Sequence, residues 1–322
     1  MSVVMENFLL IPLNEYLAAL NQQGVRVYSG TGNTFWEVCE MNSLMRRPYI
    51  RLDPPPAEEV RRILWEARAP VASYVCAVDG AHPQNAWMYV CEDQKYNVDK
   101  LSSTGRRDVR KALRNLRFEF LGQEIFKEKG LKSFCNTRQR IGLTDGTQEN
   151  FYKKFAHFCE NPGHKILGAW AGSELAGFTA VECADDWVDF YPYAADDHLQ
   201  LCPNNGMAHF ILDYFLVQKK VRVVNYGLSS IQEESNAAGL HAFKKKAGFE
   251  CRPVHRVFVF HPLLRPLANR FTLAVLRLWR QLAPGNPAVR KACGMLATYR
   301  GQSFHIRDEE TIEGSEEPRL KT

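Results

Sequence analysis

Three β-runs in close succession constrain the second half of this chain more than any other feature of its sequence. They cover 164–170, 175–183 and 187–194, separated only by the turn-prone stretches 171–174 and 184–186. Connections that short let successive strands pair only antiparallel, so the three form a meander. Around them the spacing of apolar residues predicts a strand over 117–121, helices near 123–140 and 148–159, and a helix over 206–219. A strand over 222–226, a helix over 236–247 and a last strand over 251–260 follow. The order β-α-α-β-β-β-α-β-α-β describes an α+β fold built on a mixed α/β sheet.

The first third alternates in a similar way. Strands are predicted over 26–28, 34–39 and 49–52, and the prolines at 54–56 end the last of these and start a helix over 57–67. The β-rich runs 71–78 and 86–91, joined by Asp79-Gly80-Ala81-His82-Pro83, read as a hairpin. Ser102 or Ser103 caps a helix whose Val109, Ala112, Leu113 and Leu116 share one face, leaving Arg106, Arg107, Arg110, Lys111 and Arg114 on the other arc. That arc is either a solvated face or a phosphate clamp, since clustered cations repel one another unless an anion or acidic neighbour offsets them.

Composition bounds the possibilities. A chain of 322 residues, 45% hydrophobic and 24% charged, is neither disordered nor fibrous and has room for about two domains. A net charge of +5 is too small to make bulk nucleic-acid binding the default. The nine cysteines include no Cys-x-x-Cys pair, so no metal site is expected and most read as small buried hydrophobes. The first residues lack a basic stretch and a cleavage site, and no apolar run reaches about 18 residues, so the expected location is cytoplasmic.

Three places carry candidate chemistry. Pro203-Asn204-Asn205-Gly206-Met207-Ala208 lies between a strand and an amphipathic helix, where converging backbone N–H groups make either a pyrophosphate seat or a simple Asn-capped helix start. Glu182 and Asp189 sit on the central strands, with Tyr191 and Tyr193 alternating beyond them. Either carboxylate suits a general base, or the two are solvated or paired. Lys244 lies in a lysine run between Phe243 and Phe249, whose rings would anchor it to the core, whereas His241 reads as structural.

The element order, the corner Gly239-Leu240-His241-Ala242-Phe243-Lys244-Lys245-Lys246-Ala247-Gly248-Phe249, the strand end Val224-Asn225-Tyr226-Gly227 and the basic segment Arg106-Arg107-Asp108-Val109-Arg110-Lys111 together resemble the GNAT superfamily of acyltransferases. Within it they are similar to the double-domain FemABX-like branch. The resemblance implies two GNAT-like domains in tandem: a degenerate one over 1–116 and an acyltransferase domain over 117–262. A helical extension over 263–306 and a polar acidic tail over 307–322, expected to be disordered, would follow.

The implied activity is transfer of an acyl group from acyl-CoA to an amine of a sugar, amino acid or peptide by direct attack. Asn204, Asn205, Gly206, Met207 and Ala208 would hold the coenzyme, and Lys244 would act at the transferred acyl group. Glu182, Asp189 and Tyr191 would serve the proton transfers, with Arg106, Arg107, Arg110 and Tyr193 on the substrate. One alternative is an aminoacyl-tRNA-dependent peptidyltransferase, with the basic helix on RNA or a nucleotide-linked precursor. The other is a non-catalytic GNAT-like binding protein. In the extension, Leu273, Val275, Leu276, Leu278, Trp279 and Leu282 stand among Arg270, Arg277 and Arg280. That helix either packs back on the protein or lies on an anionic membrane.

Overall fold

The computed structural model describes residues 10–231 and 237–301. The acidic tail and the start of the chain therefore lie outside the described residues. One sheet of eleven strands organises everything else. Its strands are β1 (Val27–Ser29), β2 (Phe35–Val38), β3 (Leu44–Arg47), β4 (Val71–Cys76), β5 (Ala86–Cys91), β6 (Arg117–Leu121), β7 (His164–Ala171), β8 (Glu174–Ala184), β9 (Trp187–Ala194), β10 (Val223–Leu228) and β11 (Glu250–Phe260). They lie in the order β1-β2-β3-β4-β11-β5-β10-β9-β8-β7-β6.

The expected meander is present as β7, β8 and β9, antiparallel throughout. The expected hairpin is not. β11 inserts between β4 and β5, its residues 250–254 pairing with β5 and 255–260 with β4. Two apolar runs joined by a turn fit a hairpin locally, but the pairing partner comes from 160 or more residues later, which no local pattern reveals. The sheet thus continues across the expected boundary at residue 116. The strand expected over 49–52 is also displaced: β3 ends at Arg47 because Pro48 offers no N–H to a ladder, and Tyr49, Ile50 and Leu52 pack against the core from a turn.

Helices cover both faces. α1 (Leu13–Gln22), not anticipated from sequence, buries Tyr16, Ala19 and Leu20 at i, i+3 and i+4 against Phe35 and Trp187. α2 (Ala57–Glu66) packs Val60, Ile63 and Leu64 with Trp36 and Leu44. α3 (Ser103–Asn115) and α7 (Pro203–Ile211) pack together on one face of β5–β10. A π-helical turn, Leu212–Gln218, continues α7 over the rest of the helix predicted there.

α4 (Gln123–Lys129), α5 (Leu131–Arg140) and α6 (Gln148–Phe155) close the other face over β7–β9 through Phe126, Phe134, Phe151, Phe155, Phe178 and Tyr193. α8 (Ala237–Lys246) leads into β11, and α9 (Arg270–Leu282) and α10 (Pro287–Tyr299) form the extension. No helix among the described residues is long and apolar enough to cross a membrane.

Candidate active site

Three neighbouring strands line up polar side chains at one level. Glu182 on β8 is directly opposite Asp189 on β9, and Asp189 is opposite Asn225 on β10. Paired residues on adjacent strands project to the same face, so the three side chains meet. Asn225 Nδ2 donates to Asp189 Oδ1 at 2.8 Å. Arg47, at the end of β3, completes the cluster: its Nη2 lies 2.6 Å from Glu182 Oε2 and 2.7 Å from Asp189 Oδ2, and its Nη1 is 3.5 Å from Glu37 Oε2. In the sheet order β3 is five places from β9 and six from β8, so the sheet curls over its own face to bring them together. Glu37 and Arg47 are diagonal neighbours on β2 and β3, in register to act from one side.

One guanidinium thus faces three carboxylates, and burial decides how they share charge. Burial pushes Asp189, 1% exposed, up to about 6 despite Arg47 and Asn225, and burial likewise raises Glu37. Glu182 feels the same burial, but Arg47, His164 and Lys154 outweigh it and hold its carboxyl below the usual range. The arginine stays charged, stacked 4.9 Å from the Tyr49 ring. The carboxylates are separated in function by access. Glu37 and Glu182 line a cavity of about 800 Å³ with Arg47, Tyr49 and Tyr191, whereas Asp189 lies behind Arg47 and lines neither this cavity nor the next. Asp189 therefore has no direct access to either cavity, and its two oxygens are taken up by Arg47 and Asn225.

A second cavity, of about 370 Å³, opens where β9 and β10 separate. The two strands pair in parallel only as far as Asp189 and Asn225. Beyond that level β10 turns at Gly227, whose φ of 77° an L side chain would strain to adopt, and the gap is lined by Tyr191, Pro192 and Tyr193 on one side and Tyr226, Gly227 and Leu228 on the other.

Lys244 projects to this gap from α8. It is 3% exposed, donates to the Tyr226 carbonyl at 2.8 Å and sits 4.1 Å and 4.6 Å from the ring centroids of Tyr89 and Tyr226. Burial lowers its ammonium to about 7. His241 is held at 3.0 Å from the Tyr89 hydroxyl, consistent with a structural part. The two cavities share Tyr49, Arg138 and Tyr191 as lining residues. Tyr193 is stacked on Phe178 at 4.8 Å and accepts from Lys154 Nζ at 3.0 Å, so it is largely a core residue whose edge reaches the gap.

No protein-family model matches the sequence, and no curated protein matches it. Among solved structures, FemX aligns with a TM-score of 0.50 at 12% identity, over 78% of this chain and 92% of FemX. The chain has a FemX-like fold. The C-terminal domain of a putative lysylphosphatidylglycerol synthetase from Agrobacterium fabrum gives 0.48 at 11% identity over 75% of this chain and 86% of that one. A tandem GNAT protein from the clavulanic acid biosynthesis pathway gives 0.42 at 12% over 78% and 88%. At such identities the FemX-like fold is what the comparison establishes, and residue roles rest on geometry.

Geometry corrects two expectations for the FemX-like fold. The start of α7 is not a pyrophosphate seat. A Cβ built on Gly206 would lie 2.3 Å from Phe118 Cζ and 2.8 Å from Ala112 Cβ, so the glycine lets α3 and β6 approach rather than a phosphate. The Asn205 and Gly206 amides donate to the Cys202 carbonyl, Met207 and Ala208 are buried, and none of Asn204, Asn205, Gly206, Met207 and Ala208 lines either cavity. The residues present do not fit coenzyme A there.

Nor do Arg106, Arg107 and Arg110 reach the cavities: Arg106 donates to the Asp99 and Leu101 carbonyls, Arg107 pairs with Asp108 and Arg110 with Asp99. That arc is a charged surface away from both cavities. Sequence reasoning missed Glu37, Arg47 and Tyr49, because only the curl of the sheet places residues of β2 and β3 against β8 and β9.

Proposed function

We propose that the protein is an N-acyltransferase in which an acceptor amine in the larger cavity attacks an acyl carbonyl presented through the smaller one. The observation that carries this reading is a pair of cavities meeting at Tyr49, Arg138 and Tyr191, with carboxylates on one side and a buried lysine on the other. An amine of a sugar, amino acid or peptide arrives as an ammonium drawn by Glu37 and Glu182. Glu37, whose affinity for a proton burial raises, takes the proton. The freed nitrogen attacks the carbonyl carbon, and the C–N bond forms as the C–O electron pair moves onto oxygen. Lys244 has donors left beyond the one used on Tyr226 and stabilises that oxyanion. Collapse expels the carrier oxygen or sulfur, which takes up the second proton that the nitrogen gives up as the amide forms. No covalent enzyme intermediate is required.

For the donor, the packing above Gly206 favours an acyl group carried on RNA over acyl-CoA. Arg110 is in an exposed ion pair with Asp99 that is individually weak, and the Arg107 side chain is 72% exposed, so phosphates can reach both at small cost. The test supplies acyl-labelled aminoacyl-tRNA and acyl-labelled acetyl-CoA with a panel of amino sugars, amino acids and peptides. Label passing from tRNA to an amine is expected. Transfer from acetyl-CoA with saturable coenzyme binding overturns the donor assignment, and no transfer from either donor overturns the activity.

A further inference from the structure

α9 has two apolar faces, and the described residues cover only one. Leu273 and Leu276 pack against α10 and its surroundings through Cys293, Leu296 and Ala297. At roughly 100° per residue, Phe271, Val275, Leu278 and Leu282 fall within about a 60° arc on the opposite side. They are 78%, 48%, 59% and 78% exposed, and Trp279 beside them is 54% exposed. Leu263 and Leu267, on the approach to the helix, are 70% and 59% exposed. Scattered exposed leucines are ordinary, but a continuous stripe of this length on one helix is not.

The charge around the stripe names its occupant. From Pro262 to Gly301 the sequence has six arginines, one lysine and no aspartate or glutamate. Beside the stripe, Arg270, Arg277 and Arg300 line a groove of about 530 Å³ together with Leu278 and Gln281. Three guanidinium groups bordering an apolar ridge match the order of chemistry at an anionic bilayer surface, where phosphodiesters lie above acyl chains. A protein partner would need an acidic rim around an apolar furrow, and a second copy of this chain would bring arginines against arginines.

We infer that α9 seats the protein on an anionic membrane, with Phe271, Val275, Leu278 and Leu282 entering the acyl boundary and Arg270, Arg277 and Arg300 on lipid phosphates. This does not depend on the proposed transferase activity. It gives the extension a second role, since Pro287, Ala288 and Lys291 of α10 also wall the larger cavity.

The test is flotation of the full chain with vesicles of phosphatidylcholine alone or mixed with phosphatidylglycerol. Binding to the mixed vesicles only, weakening as salt rises, is expected. Phe271→Glu/Leu282→Glu and, separately, Arg270→Glu/Arg277→Glu should each reduce partitioning by about tenfold or more at an unchanged circular dichroism spectrum. Failure of the wild-type chain to bind mixed vesicles overturns the inference. So does equal binding by the Phe271→Glu/Leu282→Glu variant, or sedimentation as a dimer that this variant converts to a monomer, which would make the stripe a contact between copies.

Discussion

The centre of the molecule and its C-terminal helix break the same rule in opposite directions. At the centre, an arginine and one carboxylate are withdrawn from water with two more carboxylates partly so; on α9, large apolar side chains are left in it. Folding alone favours neither arrangement, because burying unbalanced charge is costly and exposing an apolar stripe forfeits burial. The difference lies in how each is compensated. The central charges are held by one another and by Asn225, so that region is self-contained, whereas nothing in the described chain covers the stripe. The first is closed within the fold, and the second is open among the described residues.

Breaking the central pairing should have the largest effect. Arg47→Met leaves Glu37, Glu182 and Asp189 facing one another, and a loss of about 3–5 kcal/mol in urea unfolding is expected. Adding Asp189→Asn should recover part of it, and a single Arg47→Met chain as stable as wild type would remove the comparison. Next, Lys244→Ala should lower turnover by well over tenfold with the fold intact, since an oxyanion donor of this kind contributes about 100-fold or more; full activity would remove Lys244 from the mechanism.

Asp189 gives a smaller, directional effect. Its folded-state value, about 6, lies above its ordinary value, so its protonated form is favoured in the native protein. Its contribution to stability is therefore fully present below about pH 4 and lost as pH rises through about 6. Asp189→Asn should flatten that segment of a stability-against-pH profile. Smallest of all, Leu282→Glu on the exposed stripe should change stability by no more than about 0.5 kcal/mol in thermal or urea unfolding. A large loss there would mean that the stripe is covered by its own chain.

Local signals made the second half legible. Alternation and short turns gave β7, β8 and β9 nearly to the residue, and Lys244, read as flanked by the anchoring rings of Phe243 and Phe249, is buried. What could not be read was anything requiring distant segments to meet. Glu37 and Arg47 have no sequence mark, since their importance comes from the closing of the sheet. Gly206 misled for a related reason: a glycine at a helix start signals close approach, but whether by a phosphate or by Phe118 is settled by tertiary packing. For the extension, packing back and lying on a surface are not exclusive, since a helix with two apolar faces can pack with one and leave the other exposed.

β11 also governs assembly on the ribosome. Because this late segment separates β4 from β5 and bonds to both, everything synthesised before it has two open ladders and no means of closing them. The nascent chain must keep those bare edges from pairing with each other or with a neighbour until residue 260 has emerged. Severing the gene after residue 116 would accordingly leave β4 and β5 in one fragment and β11 in the other, each with a bare edge.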